Sequence, residues 1–445
     1  MTQSMDFLLP RLDRLGEVAK SNKSLQFNNL FHHINPMLLY KAFYKLNRKA
    51  VKGMDDLGWF EYQKNVKQNI RALHGKLQSD QYKAQPVKRL WIAKPNGEKR
   101  PIGITAIEDK IVQQALVWVL EPIYESDFLG FSYGFRPNRN QHQALDAVYM
   151  TIAYKKVSWV LDADLKGFFD AIDHQWMMTF LSHRIADKRV PKLVKGWLRA
   201  GVMDEHTKHK TWVGTPQGAV ISPLLANIYL HYALDLWVQQ WRKRHARGDV
   251  YIIRYADDFI MGFQYKSDAE QFKLSLQQRL TDFKLSLNES KTQLIEFGRF
   301  AKSNRQARKE NKPKTFDFLG FTHICSVRWG SDQFALLRVS IKKKLRAKIR
   351  EIKETLRRNI NRSPYEIGRW LKKVLTGYFN YFAVPRNGKS LNVMRTEVCK
   401  LWLKTLRRRS QKGRKLNWQV LNRLVRFFIP HTRIRHPYPN QRFHL

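Results

Sequence analysis

The amino-acid sequence predicts an α+β fold that is followed by an all-helical C-terminal part. The first 300 residues combine short apolar runs between turn signals, which indicate strands, with longer stretches of helical periodicity. The last 145 residues show helical periodicity and a strongly basic composition. Of the 445 residues, 43% are hydrophobic and 13% are aromatic, which is ample for a large core and excludes wholesale disorder.

The elements of the first part are predicted in chain order from these patterns. The Pro-Asn-Gly at residues 95–97 marks a tight turn between two apolar runs, so residues 87–93 and 101–104 are expected to form a hairpin. Helical spacing follows in two stretches, residues 110–120 and 141–153. Three short apolar runs are typical of strands: residues 159–165, 251–255 and 259–263.

The basic C-terminal part is expected to start after a polar run without apolar periodicity, residues 301–315. In residues 341–360 apolar side chains recur every three or four positions, which predicts an amphipathic helix. Its other faces carry many Lys and Arg and only two acids, so we interpret them as facing phosphate rather than as an ordinary solvated surface. Further helices are predicted near residues 366–382, 393–409 and 418–428.

The net charge indicates a polyanionic partner. The chain carries 81 Lys and Arg against 37 Asp and Glu, a formal net charge of +44. This much positive charge repels itself unless a polyanion is present, and nucleic acid is the first candidate. Residues 301–445 contain 37 of the basic and 7 of the acidic residues, so they carry +30, and the first 300 residues carry only +14.

The two cysteines, Cys325 and Cys399, are too few for a disulfide framework or a four-cysteine zinc site, which fits a reducing cytoplasm. The first 15 residues carry charges through their only apolar stretch, so no signal peptide is expected. The longest segment without charged residues, residues 211–234, contains prolines, glycines and polar side chains, which argues against a membrane helix. We therefore expect a cytoplasmic protein without a membrane partner.

Acidic side chains at the ends of two predicted core strands are the candidate catalytic residues. Asp257 and Asp258 lie at the turn of the hairpin VYIIRYADDFIMGF (residues 250–263), and Asp162 and Asp164 follow the strand at residues 159–161. An Asp-Asp pair also suits a turn for backbone reasons alone. Several carboxylates at the ends of core strands, however, cost free energy unless a cation lies beside them. Two Mg²⁺ ions bound there would support nucleotidyl transfer.

These residues resemble the sequence blocks of group II intron-encoded reverse transcriptases and maturases. The YADD box (residues 255–258) is similar to the catalytic box of reverse transcriptases, and the other blocks occur in the order found in that family. They are KPNGEKRPIGI (94–104), FSYGFRPN (131–138), LDADLKGFFDAIDH (161–174), GTPQGAVISPLLANIYL (214–230), LNESKTQLIEF (287–297) and FDFLGF (316–321). The resemblance implies a right-hand polymerase with α+β fingers, an antiparallel palm sheet and an all-helical thumb or maturase domain. The implied bounds are 1–84 for an N-terminal extension and the start of the fingers, 85–310 for fingers and palm, and 311–445 for the thumb.

The resemblance also implies the metal ligands. Asp164, Asp257 and Asp258 match the family's metal-binding triad, with the backbone of Leu165 as a further ligand, for two Mg²⁺ ions that Mn²⁺ can replace. Asp162 faces the same side of its strand as Asp164, which would allow it to touch a metal ion. The alternative interpretation is a hydrogen-bonded structural carboxylate. For Asp170 and Asp173 we expect helix capping or salt bridges rather than catalysis.

Contacts to the incoming deoxynucleotide (dNTP) are implied in the same way. Lys94 and Arg100 match the fingers residues that grip the triphosphate, and the alternative is a solvated hairpin tip. Gln217 lies where the family contacts the nucleotide. Phe168 or Phe169 would be the aromatic gate that excludes a 2′-hydroxyl, and both alternatively belong to the core. Lys291 lies in a block near the primer or is a surface lysine.

The leading interpretation is an RNA-directed DNA polymerase that binds structured intron RNA, DNA primer or target and the RNA–DNA duplex, and that assists splicing and mobility. The chain contains no Cys-x-x-Cys, so the paired-cysteine endonuclease of many relatives is not expected. Two alternatives remain open. One is a splicing factor that mainly binds RNA, and the other is a free-standing, domesticated reverse transcriptase in DNA repair or antiphage defence.

Overall fold

The computed structural model describes residues 8–93, 99–204, 207–209, 213–215, 218–328 and 330–443, and its architecture is the predicted α+β. The helices are α1 (Leu8–Ser21), α2 (Pro36–Lys45), α3 (Trp59–Gln63), α4 (Val66–Gln78), α5 (Ile107–Asp127), α6 (Gln141–Tyr154), α7 (Phe168–Ala171), α8 (His174–Ser182), α9 (Arg189–Arg199), α10 (Ser222–Leu230), α11 (Leu236–Arg244), α12 (Lys266–Asp282), α13 (Ala301–Ala307), α14 (Lys342–Arg358), α15 (Pro364–Phe382), α16 (Gly388–Arg408), α17 (Gln411–Arg414), α18 (Trp418–Phe428) and α19 (Pro439–Arg442). A π-helical turn (His231–Asp235) joins α10 to α11, and a short 3-10 helix (Phe31–His33) precedes α2.

The strands are β1 (Val87–Ala93), β2 (Lys99–Ile104), β3 (Trp159–Asp164), β4 (Val202–Asp204), β5 (Thr207–His209), β6 (Val250–Tyr255), β7 (Asp258–Phe263), β8 (Gln293–Glu296), β9 (Phe316–Phe318), β10 (Phe321–Val327) and β11 (Phe334–Ser340). They form sheets with the strand orders β2-β1-β4-β5, β6-β7-β3-β8 and β11-β10-β9. The predicted hairpin of β1 and β2 and the predicted strands β3, β6 and β7 are confirmed.

The sheet β6-β7-β3-β8, called the palm sheet below, is buried on both faces. Successive side chains of a strand point to opposite faces. Phe259 and Met261 of β7 accordingly pack into the large core to which α1–α5 and α7–α12 contribute, whereas Ile260 packs with α6 into a second core on the other face. Burial on both faces holds the strands rigidly, and the residues at their ends are therefore held at defined positions.

The C-terminal helices have a core of their own around the fully buried Trp402, and the predicted helical stretches correspond to α14, α15, α16 and α18. In α14 the apolar stripe of the sequence is buried through Leu345, Ile352 and Leu356, and four lysines on its other faces are exposed: Lys342, Lys343, Lys344 and Lys353. The amphipathic interpretation of this helix is confirmed.

The structure differs from the sequence prediction at the start of the C-terminal part. The prediction of an all-helical part from residue 311 is wrong for residues 316–340, which form the sheet of β9, β10 and β11. The physical reason is that Phe316, Phe318 and Phe321 complete the core on the second face of the palm sheet. The polar run before them also contains a short helix, α13, which begins at the buried Ala301.

No helix in the described ranges combines the length and the apolar composition that a membrane crossing requires.

Candidate active site

Strand pairing brings two of the predicted carboxylates opposite each other. In the antiparallel pair of β3 and β7, Asp164 is the direct partner of Asp258 at one end of the palm sheet. Directly opposed residues in such a pair have Cα atoms about 4.5–5.5 Å apart. Leu161 and Ala163 anchor β3 in the core immediately before Asp164. The two carboxylates therefore converge because the strands that carry them are fixed.

The third carboxylate lies in the turn between β6 and β7. Tyr255 pairs with Asp258, so only Ala256 and Asp257 remain in the turn. Ala256 has a φ of 57°, the left-handed conformation that tight two-residue hairpins use. Gly134 packs against this turn so closely that a Cβ there would collide with the Ala256 backbone nitrogen. The segment FSYGFRPN thus supports the turn from outside.

Burial and neighbouring negative charges perturb the ionisation of Asp258. Burial, together with the negative charges of Asp162, Asp164 and Asp257, raises the pKa of Asp258 to about 8, and Lys344 of α14 acts in the opposite direction. A carboxyl group whose pKa rises for this reason has too little positive charge around it. The end of the palm sheet is therefore a site that favours an additional cation.

Asp162 is held as a hydrogen-bonded carboxylate two residue pairs away from the Asp164–Asp258 pair. Its Oδ2 accepts a hydrogen bond from Gln293 Nε2 at 3.3 Å. Burial and the charges of Asp317 and Asp164 raise its pKa to about 6, although the bond from Gln293 opposes this. Its negative charge is one of the causes that raise the pKa of Asp258.

Asp173, which was expected to cap a helix, does so. Its Oδ1 accepts from the backbone N–H groups of Gln175 and Trp176 at 2.9 Å each, at the start of α8. Asp170 lies in the first turn of the short helix α7.

Lys291 lies at the site rather than on an unrelated surface. Its Nζ donates to Asp164 Oδ2 at 2.8 Å, and Asn288 Nδ2 donates to the same oxygen at 3.2 Å. The Asn288 backbone N–H also donates to the Asp164 carbonyl at 2.8 Å, and Leu287 bridges to the buried Leu165. The loop after α12 is thereby fastened to the end of β3.

The donor set at this end suits a hard divalent cation, because Mg²⁺ prefers carboxylate oxygens. In the described ranges no three His, Cys, Asp or Glu side chains are arranged closely enough to hold a metal ion as they stand. Asp164 Oδ2 is engaged by Lys291 and Asn288. The residues fit a divalent cation by charge and by donor type, and a cation at Asp164 Oδ2 would compete with Lys291.

The two candidate gate residues differ in exposure. Phe168 is only 2% exposed and belongs to the large core, where its ring lies 5.4 Å from that of Phe169 and 6.4 Å from that of Tyr229. Phe169 is half-buried, and its carbonyl accepts from the Thr215 backbone N–H at 2.8 Å. Of the pair, Phe169 is therefore the one with accessible surface beside the loop that begins at Gly214.

The predicted triphosphate contacts are only partly located. Lys94 and Gln217 lie outside the described residues. Arg100 lies in β2, where its backbone pairs with Ile92. Gly218, at a φ of 114°, packs so closely on β2 that a Cβ there would lie 2.8 Å from the Gly103 carbonyl oxygen. This contact holds Gly218 against β2.

Sequence reasoning missed the residues that support the catalytic turn from below. Arg254 is fully buried, and its Nη1 donates to the Ala256 carbonyl at 3.0 Å and to Asn227 Oδ1 at 3.1 Å. Asn227 Nδ2 in turn donates to the Gly134 carbonyl at 2.7 Å. Asp235, also fully buried, accepts two bonds from the same guanidinium. The available signal was a single Arg inside an otherwise apolar strand.

Comparison with known proteins identifies the same region. The sequence profile described as "Reverse transcriptase (RNA-dependent DNA polymerase)" matches residues 92–323, which contain all of the carboxylates above. The chain is 33% identical over 315 residues to Protein YkfC of Escherichia coli (strain K12), and the match covers 63% of this chain and 83% of that protein.

Proteins named after introns are also similar. The chain is 37% identical over 242 residues to the Group II intron-encoded protein LtrA of Lactococcus lactis subsp. cremoris, which covers 53% of this chain and 39% of LtrA. It is 29% identical over 257 residues to Nuclear intron maturase 2, mitochondrial, of Arabidopsis thaliana, which covers 44% of this chain and 35% of that protein. The chain thus spans well under half of the length of these two relatives.

Proposed function

Because the chain belongs to the reverse transcriptase (RNA-dependent DNA polymerase) family, we propose that it copies RNA into DNA by nucleotidyl transfer at the end of the palm sheet. The observation that carries the proposal is the pairing of Asp164 with Asp258, with Asp257 in the adjoining turn. The raised pKa of Asp258 supports it, because this pKa indicates a site that lacks a cation.

Asp164, Asp257 and Asp258 would hold two Mg²⁺ ions, or Mn²⁺ in their place, with the Leu165 backbone as a further ligand. When bound, such a pair activates the primer 3′-hydroxyl and stabilises the leaving pyrophosphate. The chain itself orients the carboxylates through the paired strands and through Arg254 beneath the turn. Lys291 neutralises Asp164 until the site is loaded.

We assign the contacts to the incoming dNTP to Lys94, Arg100 and Gln217. The close packing of Gly218 on β2 supports this assignment, because Gly218 directly follows Gln217 in the sequence and β2 contains Arg100. Phe169 would exclude the 2′-hydroxyl of a ribonucleotide. Its half-buried position supports this role, whereas Phe168 is enclosed in the core.

The RNA partner is proposed to be a group II intron RNA, whose splicing and mobility the protein would assist, alongside a DNA primer and the RNA–DNA duplex. The similarity to intron-encoded proteins and the exposed lysines of α14 support this. The positive charge of Lys344, at the start of α14, opposes the rise in the pKa of Asp258, so this end of the helix lies near the carboxylates. The two free thiols, Cys325 and Cys399, support action in the reducing cytoplasm.

Primer extension on an RNA template tests the polymerase proposal. We expect D257N/D258N to abolish extension and to leave RNA binding within about twofold, because phosphate contacts supply most of the affinity. Two exposed acids outside the site and outside α14, Glu270 and Asp282 of α12, provide the control E270Q/D282N, which removes the same charge. Extension that survives in D257N/D258N would refute the proposal.

Splicing of the intron RNA by the same D257N/D258N variant separates the two activities. The RNA-binding surface of α14 does not include these carboxylates, so splicing assistance should persist without extension. Splicing that fails together with extension would contradict a separate RNA-binding role.

A further inference from the structure

A cleft of about 520 Å³ lies between the end of α4 and α9, away from the palm sheet. Leu77, Tyr82, Ala84 and Leu193 supply the apolar part of its lining. None of the residues around it belongs to β3, β6 or β7, so it is separate from the carboxylate site. Its volume is in the range of roughly 300–1,000 Å³ that is typical of ligand-binding clefts.

A stripe of cations along α9 and its N-cap forms one wall of this cleft. The residues of the stripe are Lys188, Lys192, Lys195 and Arg199. Their spacings of four, three and four place them on one helix face over about 16 Å, while Val194 and Trp197 anchor the opposite face in the core. Like charges at these spacings destabilise a helix, so the stripe is unfavourable unless a polyanion lies along it.

The protein neutralises little of this charge. Lys192 forms an ion pair with Asp80, and Arg189 forms one with Asp187 at 3.2 Å. The other cations around the cleft make no ion pair with a carboxylate in the part of the chain that the structure describes. They are Lys83, Lys188, Lys195 and Arg199. The cleft therefore has positive rims above an apolar lining.

The apolar lining is held rigidly in place. The Tyr82 hydroxyl donates to Asp109 Oδ1 and accepts from Trp197 Nε1 at 2.9 Å, so the ring is fixed from two sides. An unpaired nucleotide presents both a charged backbone and an open base face, which suits cations beside an apolar surface. A duplex presents its phosphates but keeps its bases paired inside, and it would leave the lining unused.

We propose that this cleft binds an unpaired segment of RNA, with its phosphates on the α9 stripe and its bases against the apolar lining. The choice of RNA rests on the proposed function, in which RNA is the strand that the protein binds and copies. The cleft is then a second RNA contact, because none of its lining residues belongs to the C-terminal helices α14–α18. It would hold RNA outside the duplex that the carboxylates process.

The test compares two triple variants that remove the same charge. K188Q/K195Q/R199Q removes the unpaired cations of the stripe. K64Q/K67Q/R71Q removes three exposed cations from the start of α4 and the residues before it, which do not line the cleft. Affinity for a single-stranded RNA is measured with the full chain, without dNTP or divalent cation, over a range of salt concentrations.

We expect the stripe variant to lose about tenfold or more in affinity. The negative slope of log K against log salt should become shallower by about 2, since each single-strand phosphate contact contributes about 0.7 to its magnitude. The control should change neither quantity appreciably. Equal losses in both triple variants, or an equal loss on duplex RNA, would overturn the proposal. An equal loss on single-stranded DNA of the same sequence would overturn the assignment to RNA.

Two further measurements keep the result interpretable. Matching melting temperatures of the two triples show that both variants fold, and the double variant K188Q/R199Q should show an intermediate slope. Because binding is measured without catalysis, it is independent of polymerase activity. Absence of extension in the unmodified chain would refute the proposed function and leave the cleft result standing.

Discussion

Arg254 and Asp235 form a bidentate ion pair that is completely buried beneath the turn carrying Asp257. Arg254 Nε donates to Asp235 Oδ1 at 2.8 Å and Nη2 donates to Oδ2 at 2.5 Å. Asp235 ends the π-helical turn between α10 and α11, and π-helical insertions are common at functional sites. With its remaining nitrogen the same guanidinium holds the Ala256 carbonyl, so the pair connects a helix to the catalytic hairpin.

Replacing Arg254 by Lys should impair catalysis more than nucleotide binding. Lysine keeps the charge but loses the planar fork that serves Asp235 and Ala256 together. A displacement of the turn by about 1 Å would lower kcat of primer extension by about 10²-fold. The KM for dNTP should change little, because the predicted dNTP contacts lie on other segments.

The matched control for this change is R338K. Arg338 and Asp146 form another buried ion pair, at 2.6 Å, and Arg338 lies in β11, outside the palm sheet. R254K and R338K should lower the melting temperature similarly, and only R254K should lower kcat. A similar loss of kcat in both variants would show that Arg254 acts through general stability alone.

Replacing Lys291 by Met should reduce the Mg²⁺ concentration needed for half-maximal extension. Lys291 donates to Asp164 Oδ2 at 2.8 Å, so a cation bound at this oxygen would compete with it. Removing this competition should lower the half-saturating concentration severalfold, as measured by Mg²⁺ titration. K302M, on the exposed face of α13, is the control. An unchanged Mg²⁺ requirement in K291M would contradict competition at Asp164.

Substitutions of Phe169 and Phe168 should separate selectivity for dNTPs over ribonucleotides from the stability of the fold. F169A is expected to raise ribonucleotide incorporation relative to dNTP by about tenfold or more, because a pocket wall that excludes a hydroxyl by size is lost. F168A is expected to lower the free energy of unfolding by about 3–5 kcal/mol, because it leaves a cavity in the core, without changing this ratio. Altered selectivity in F168A alone would reverse the assignment.

Asp109 should make stability depend on pH. Burial raises its pKa to about 6, although bonds from Tyr82 and Gln85 oppose the rise, and Asp55 and Glu108 add to it. A carboxyl group with a raised pKa in the folded state stabilises the fold fully below its unfolded pKa, and this contribution is lost as pH rises through the folded value.

Asp109 should therefore contribute up to about 3 kcal/mol near pH 4 that disappears by about pH 7. Urea unfolding of the unmodified chain and of D109N at pH 5 and pH 8 measures this contribution. The loss between the two pH values should be smaller in D109N. An equal loss in both proteins would exclude Asp109 as the source.

The sequence by itself determined the features that depend on neighbours a few residues apart. The β1–β2 hairpin, the Asp257–Asp258 turn and the amphipathic α14 follow from turn residues and from apolar spacing, and all three lie where these patterns predict them. The family blocks were legible for the same reason, since each block is a short contiguous run. The role of each carboxylate in catalysis stays a prediction.

Only the tertiary structure decided which distant residues meet and which surfaces remain accessible. It placed Lys291 on Asp164, enclosed Phe168 rather than Phe169, and joined Arg254 to Asp235. It also placed the sheet of β9, β10 and β11 where the family resemblance implied an all-helical thumb. These outcomes depend on the register of paired strands and on which side chains fill a shared core, and neither is encoded in local spacing.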